Sequence, residues 1–160
     1  MGSEEVQRIK DVFSRLGLHA TYLEHEEVVT SEDAARTRGF ELKQGIKAII
    51  LTNDKEFVVV CVPADKKVDT KLVANEVKWA RNKLRMATAE EVLEVTGCII
   101  GAVPPFGHKQ KLKLLIDKGI YDNEISTFNI GLRTMSVKIP TEEMKIVFER
   151  ENGMEGMFTK

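Results

Sequence analysis

The sequence predicts a mixed α+β domain. Short β-rich runs outnumber helical stripes, a hairpin joins two of those runs, and strict βαβ alternation is absent. The expected architecture is a distorted, largely antiparallel β-sheet or barrel with helices packed around it. At 160 residues the chain is one domain long by the ~150-residue prior. The domain is expected over residues 1–150, with 151–160 as a frayed, flexible tail of glycines and methionines.

The elements follow in order. Val6, Ile9, Val12, Phe13 and Leu16 make one apolar stripe at helical spacing, with Ser3 as its cap and Gly17 as its stop. Residues 19–25 read as a strand. Thr30 with Asp33 resembles a cap opening a short helix to Arg38, stopped by Gly39. Residues 46–51 and 57–62 are β-rich, and Asn53-Asp54-Lys55-Glu56 between them is hairpin chemistry. Asp69 opens a helix to about Ala80, and residues 83–86 form a short strand. Thr88-Ala-Glu-Glu91 is a capping box for a helix closed by Gly97. Residues 98–103, 112–116, 124–128 and 134–139 read as strands, the last with Met135, Val137 and Ile139 on one face. Thr141 caps a last helix through Met144, Val147 and Phe148.

Composition narrows the function. Hydrophobic residues make up 42% and charged residues 31%, which excludes general disorder. A formal charge of -1 excludes a histone-like coat for long nucleic acid, although 24 cations can still form a local basic face. Two cysteines, Cys61 and Cys98, are too few for a disulfide scaffold or a four-thiolate site. No apolar stretch approaches the ~20 residues of a membrane span, and the first residues lack a signal peptide's pattern. A cytoplasmic protein without membrane contact is expected.

The common nucleotide, zinc-protease and serine-hydrolase motifs are missing from the sequence. His19, His25 and His108 lack the spacing of a helical metal pair, so no metal and no cofactor are expected. A zinc set of His25, His108 and Cys98, and a Cys98–His108 nucleophile pair, are the weaker alternatives.

Two features stand out. Lys47 shares a strand face with Ile49 and Leu51, while Ile46, Ala48 and Ile50 occupy the other. Both faces read as buried. Lys47 is either a strand-end lysine whose stem packs or a cation aimed into a pocket to hold an anion or polarise a carbonyl. The second feature is Gly101-Ala102-Val103-Pro104-Pro105-Phe106-Gly107-His108. Glycine permits close backbone approach and the prolines stiffen the loop. The N–H groups of Ala102 and Val103 could bind an oxygen there. The plain alternative is a tight connection between strands.

Lys47 in Ile46-Lys47-Ala48-Ile49-Ile50, followed at this separation by Gly101 and Pro105 as Gly-x-x-x-Pro, resembles the YbaK/ProX family of aminoacyl-tRNA deacylases. The same domain edits within bacterial-type prolyl-tRNA synthetases. The likeness runs from about Val6 to Phe148 and includes Thr21–His25, Glu32-Asp33-Ala34-Ala35 and the 125–144 region. It implies a YbaK-like editing domain that hydrolyses the ester between a wrong amino acid and the 3′-terminal adenosine of a tRNA, using neither metal nor protein nucleophile. Lys47 would anchor the substrate and the Gly101–Pro105 loop would hold its carbonyl. A substrate ribose hydroxyl would help water attack. Tyr22, His25, Pro104, Phe106, Gly107, His108, Asn129 and Gly131 would line the pocket.

Ala48 stands where alanine-editing members carry Asn, and Pro104 where many relatives carry a small polar residue. The first departure counts against alanine selectivity, and the second removes a possible donor. The implied partners are the acceptor end of an aminoacyl-tRNA and an aminoacyl-tRNA synthetase. Lys71, Lys78, Arg81, Lys83, Arg85, Lys109, Lys111 and Lys113 are candidates for phosphate contact. A non-catalytic module that binds tRNA or a synthetase is the alternative. A small-molecule esterase has no motif behind it.

Overall fold

The structure, a computed structural model, describes residues 2–27 and 40–160. The cap at Thr30 and Asp33, the helix to Arg38 and the Glu32–Ala35 stretch fall outside the described residues.

Four α-helices and eight strands are described: α1 (Ser3–Leu16), β1 (Thr21–Glu24), β2 (Ile46–Thr52), β3 (Phe57–Pro63), α2 (Thr70–Val77), β4 (Arg85–Met86), α3 (Ala89–Thr96), β5 (Lys113–Asp117), β6 (Ile125–Leu132), β7 (Met135–Pro140), α4 (Thr141–Arg150) and β8 (Met154–Gly156). They form two sheets and no closed barrel. One has the order β1-β7-β6, the other β4-β2-β3-β5-β8. The expected antiparallel pairing holds for β2–β3, β2–β4, β1–β7 and β6–β7, whereas β3–β5 and β5–β8 run parallel.

The hairpin forms where its turn chemistry lies. Asp54 takes a positive φ of 75°, Asn53 Oδ1 accepts from the Lys55 and Glu56 amides, and Thr52 Oγ1 donates to the Glu56 carbonyl. Side-chain alternation along β2 and β3 then divides the interior. Ile46, Ile50, Val59, Cys61, Leu114 and Ile116 enter one core with Ile9 and Phe13 of α1, Phe128 and Val137 of the smaller sheet, and Phe148 of α4. Leu51, Val58, Val60, Val62 and Leu115 face a second core closed by Val73, Val77 and Phe158.

Five expectations need correction. Ser3 is the first helical residue, and Gly2 is the N-cap, its φ of 85° set against the Gly131 carbonyl. The helix from Asp69 stops at Val77, because Lys78 turns left-handed with φ 60°. Residues 98–103 are not a strand. The Thr96 hydroxyl accepts from the Cys98 amide, and the Ala102 amide folds back onto the Ile99 carbonyl, so local bonds replace a ladder. Thr141 lies inside α4, after the N-cap Pro140, and its hydroxyl meets Ser126 Oγ at 2.7 Å. Residues 151–160 are packed, not frayed. β8 pairs with β5, Phe158 is 2% exposed, and its amide donates to the buried Asp117 carboxylate at 2.8 Å.

Candidate functional site

Strand register decides what Lys47 can meet. Gly45, just before β2, bridges Thr127 of β6 in parallel. Bridged residues share a face, and so do residues two apart. Lys47, Thr127 and Asn129 therefore lie on one face where the two sheets join. Asn129 pairs with Ser136 across β6–β7, which extends that face to Ser136. Lys47 is half-buried there.

The loop reaches this face through its carbonyls. Asn129 Nδ2 donates to the Gly101 carbonyl, and Arg133 Nε to the Ile100 carbonyl at 3.0 Å. Further along, His108 Nε2 donates to the Pro104 carbonyl at 2.7 Å, the Cys61 thiol points at the Pro105 carbonyl, and Arg8 Nε donates to the Gly107 carbonyl at 3.1 Å. Five loop carbonyls are thus held by side-chain donors. Gly101 has φ 91°, a conformation that glycine enters without steric cost. The Ala102 amide is committed to Ile99 at 3.0 Å, so it is not the open donor the sequence suggested. Among the described residues the Gly101 and Val103 amides have no acceptor. A turn whose carbonyls are held by side-chain donors, and whose Gly101 and Val103 amides are uncommitted among the described residues, suits a developing oxyanion.

The other expected pocket residues divide. His25 joins the Lys47 face, with Nε2 2.6 Å from Ser136 Oγ and Nδ1 2.8 Å from the Glu26 carbonyl. Tyr22 does not: it pairs with Val137, whose side chain is in the first core, and Lys10 Nζ lies 5.0 Å from its ring centroid. Gly131 is structural, because a Cβ there would stand 2.7 Å from the Gly2 carbonyl oxygen. Phe106 is buried edge-on against Phe13. Pro105, Phe106, Gly107 and His108 line a cavity of about 310 Å³ with Arg8 and Arg15 of α1. Lys47, Gly101 and Asn129 do not line it. Pro104 is buried between the two regions of the loop.

Electrostatics argue against the thiol alternative. Burial pushes the Cys98 thiol up to about 12, with the Glu5 carboxylate adding to it, and Cys61 is raised by burial alone. Burial lowers His108 to about 4, so its ring is neutral at pH 7. Its Nε2–H is spent on Pro104. Cys98, His25 and His108 each turn to different partners, and among the described residues no group of three His, Cys, Asp or Glu side chains converges.

The sequence reading missed Ser136, Arg133 and Arg8. Ser136 looks like the polar side of an alternating strand, yet it is fully buried. Arg133 looks like a hairpin-tip cation.

A model of the aminoacyl-tRNA editing domain matches residues 25–146. The chain belongs to the aminoacyl-tRNA editing domain family. Among relatives of this editing domain, the multifunctional Ser/Thr-tRNA deacylase ProXp-y of Escherichia coli (strain K12) is 33% identical over 148 residues, 89% of this chain and 87% of its own. The proline–tRNA ligase of Caldicellulosiruptor saccharolyticus is 28% identical over 105 residues, which are 66% of this chain but 16% of that ligase. The crystal structure of a candidate trans-editing enzyme for prolyl tRNA synthetase superposes with a TM-score of 0.81 at 23% identity, covering 99% of this chain and 98% of that one. At that identity the likeness speaks for the editing-domain fold. No helix among the described residues is long and apolar enough to cross a membrane.

Proposed function

We propose that this editing-domain protein is a trans-acting deacylase that hydrolyses the ester of mischarged aminoacyl-tRNA. The observation that carries the reading is the Gly45–Thr127 bridge. It sets Lys47 on the face where Asn129 holds Gly101. An aminoacyl ester is already activated, so placing it and stabilising its oxyanion can suffice. In this reading Lys47 anchors the terminal adenosine and ester, the Gly101 and Val103 amides receive the carbonyl oxygen, and water attacks with help from a substrate ribose hydroxyl. Neither a metal nor a protein nucleophile takes part. Pro105 keeps the turn rigid. Asn129 and His25 act on the Lys47 face, and Tyr22, Phe106, Gly107, His108 and Gly131 support it from elsewhere.

Serine and threonine head the substrate list, by similarity to the E. coli deacylase. The partner is the acceptor end of tRNA, in the cytoplasm, with a synthetase as a second candidate. Lys71, Lys78, Arg81, Lys83, Lys109, Lys111 and Lys113 are exposed and suit phosphate contact. Arg85 is taken up by Asp54 and Glu91.

The test is a panel of tRNAs charged with serine, threonine, alanine and cysteine. Hydrolysis above background of at least one ester supports the enzyme. Binding without hydrolysis of any of them selects a non-catalytic tRNA-binding module instead.

A further inference from the structure

Residues 99–102 form a turn, closed by the Ala102 amide on the Ile99 carbonyl at 3.0 Å. Its central residues are Ile100 and Gly101. Gly101 has φ 91°, and Ile100 is not left-handed. That combination is a type II turn, whereas a type I turn needs a negative φ at Gly101. The two types differ in the peptide unit between the central residues, which is turned over by changes of roughly 150° in one ψ and 170° in the next φ. In a trans peptide the N–H points opposite to the carbonyl before it. Turning the Ile100–Gly101 unit over therefore reverses the Gly101 N–H. Glycine permits both forms, so the residue at 101 does not choose between them.

Arg133 grips this same unit. Its Nε donates to the Ile100 carbonyl at 3.0 Å, and Nη2 donates to the same oxygen. Nη1 donates to Glu27 Oε1 at 3.0 Å. Two charged donors on one oxygen hold the carbonyl of the unit toward the β6–β7 turn. The N–H on its opposite edge, that of Gly101, has no acceptor among the described residues. Asn129 acts on a different unit. It binds the Gly101 carbonyl, whose peptide partner is the committed Ala102 amide.

Resting on the deacylase reading above, we propose that Arg133 is the positioning residue for the Gly101 oxyanion donor: its bonds to the Ile100 carbonyl keep the turn in type II form and present the Gly101 N–H to the ester oxygen. The guanidinium also draws charge onto that carbonyl oxygen. The N–H of the same unit becomes more positive and a better donor to an oxyanion. Lysine does not replace arginine here. Its ammonium is a point charge on a flexible stem, without the rigid plane that sets two bonds on one oxygen and a third on Glu27.

The test compares wild type with Arg133→Met and Arg133→Lys. NMR reads the turn directly. Type II places the Ile100 Hα beside the Gly101 amide hydrogen and gives a strong NOE between them. Type I places the amide hydrogens of Ile100 and Gly101 together instead. Wild type is expected to show the first pattern. In both variants the amide–amide contact should appear and the Gly101 amide resonance should move. Single-turnover deacylation of Ser- and Thr-tRNA at saturating enzyme should fall at least about tenfold in both variants, within the ~10²–10³ of a lost oxyanion donor. The enzyme concentration giving half-saturation with charged tRNA should stay close to wild type. A pure type II pattern that persists in Arg133→Met overturns the proposal. So does a saturating rate preserved in Arg133→Lys with weaker tRNA binding in Arg133→Met, the signature of a phosphate contact. A wild type that hydrolyses no ester defeats the deacylase reading, and the NOE pattern then decides by itself whether Arg133 holds the peptide unit.

Discussion

Asn129 donates its side-chain amide to the carbonyl of Gly101, 28 residues earlier in the chain. This bond joins the β6–β7 hairpin to the glycine-proline loop, on the face that Lys47 shares. It makes the loop part of the sheet's framework rather than a free connection.

Lys47→Ala is expected to reduce deacylation by at least about 10²-fold, the scale of one lost electrostatic contact to the reacting group. The side chain is half-buried at the start of β2, away from the centre of either core. The melting transition should therefore move little. Activity and thermal melting, measured on the same preparation, separate the two effects.

Gly101→Ala tests the turn. The φ of 91° is unfavourable for any residue with a Cβ, at a cost of ~1 kcal/mol or more. Denaturant melts should show a loss of that order. The rate of deacylation should fall further than stability does, because relaxing φ also turns the carbonyl away from Asn129.

His108 sets a pH dependence of stability. Its folded ring is lowered to about 4 by burial, from an ordinary 6.5. The unfolded chain takes up that proton first as the pH falls. The contribution is fully present above 6.5, is lost between 6.5 and about 4, and changes no further below that. The slope in this window is at most ~1.4 kcal/mol per pH unit. Denaturation of wild type and His108→Gln across the window should show a shallower slope in the variant. Equal slopes would mean that His108 is not the group responsible.

Phe158→Ala addresses the C-terminal segment. A fully buried phenylalanine cut to alanine typically costs about 3–5 kcal/mol. Phe158 closes the second core, so a loss on that scale is expected in urea unfolding. A change below about 1 kcal/mol would mean that residues 151–160 contribute little.

Much of the fold was legible because its signals are local. Asn53 to Glu56 specify their own turn, Thr88 with Glu91 caps α3 from both sides, and Met135, Val137 and Ile139 alternate as a half-buried strand must. The segment 98–103 misled because its aliphatic composition matches a strand. Thr96 Oγ1 and the positive φ of Gly101 outweigh that composition, and neither leaves a periodic trace. The C-terminal strand was hidden for a related reason: three residues, Met154 to Gly156, are too few for alternation to register. Lys47 and Gly101 could be picked out as candidates from their surroundings in sequence. Ser136 could not, since only the three-dimensional arrangement shows that this polar position is sealed from solvent.

The parallel pairing of β8 with β5 bears on synthesis. While residues 154–158 are still inside the ribosomal tunnel, β5 exposes an open edge and the second core lacks its Phe158 plug. The emerging chain must therefore carry an unfinished sheet until these residues leave the tunnel, a vulnerable interval in which a chaperone would guard against mispairing.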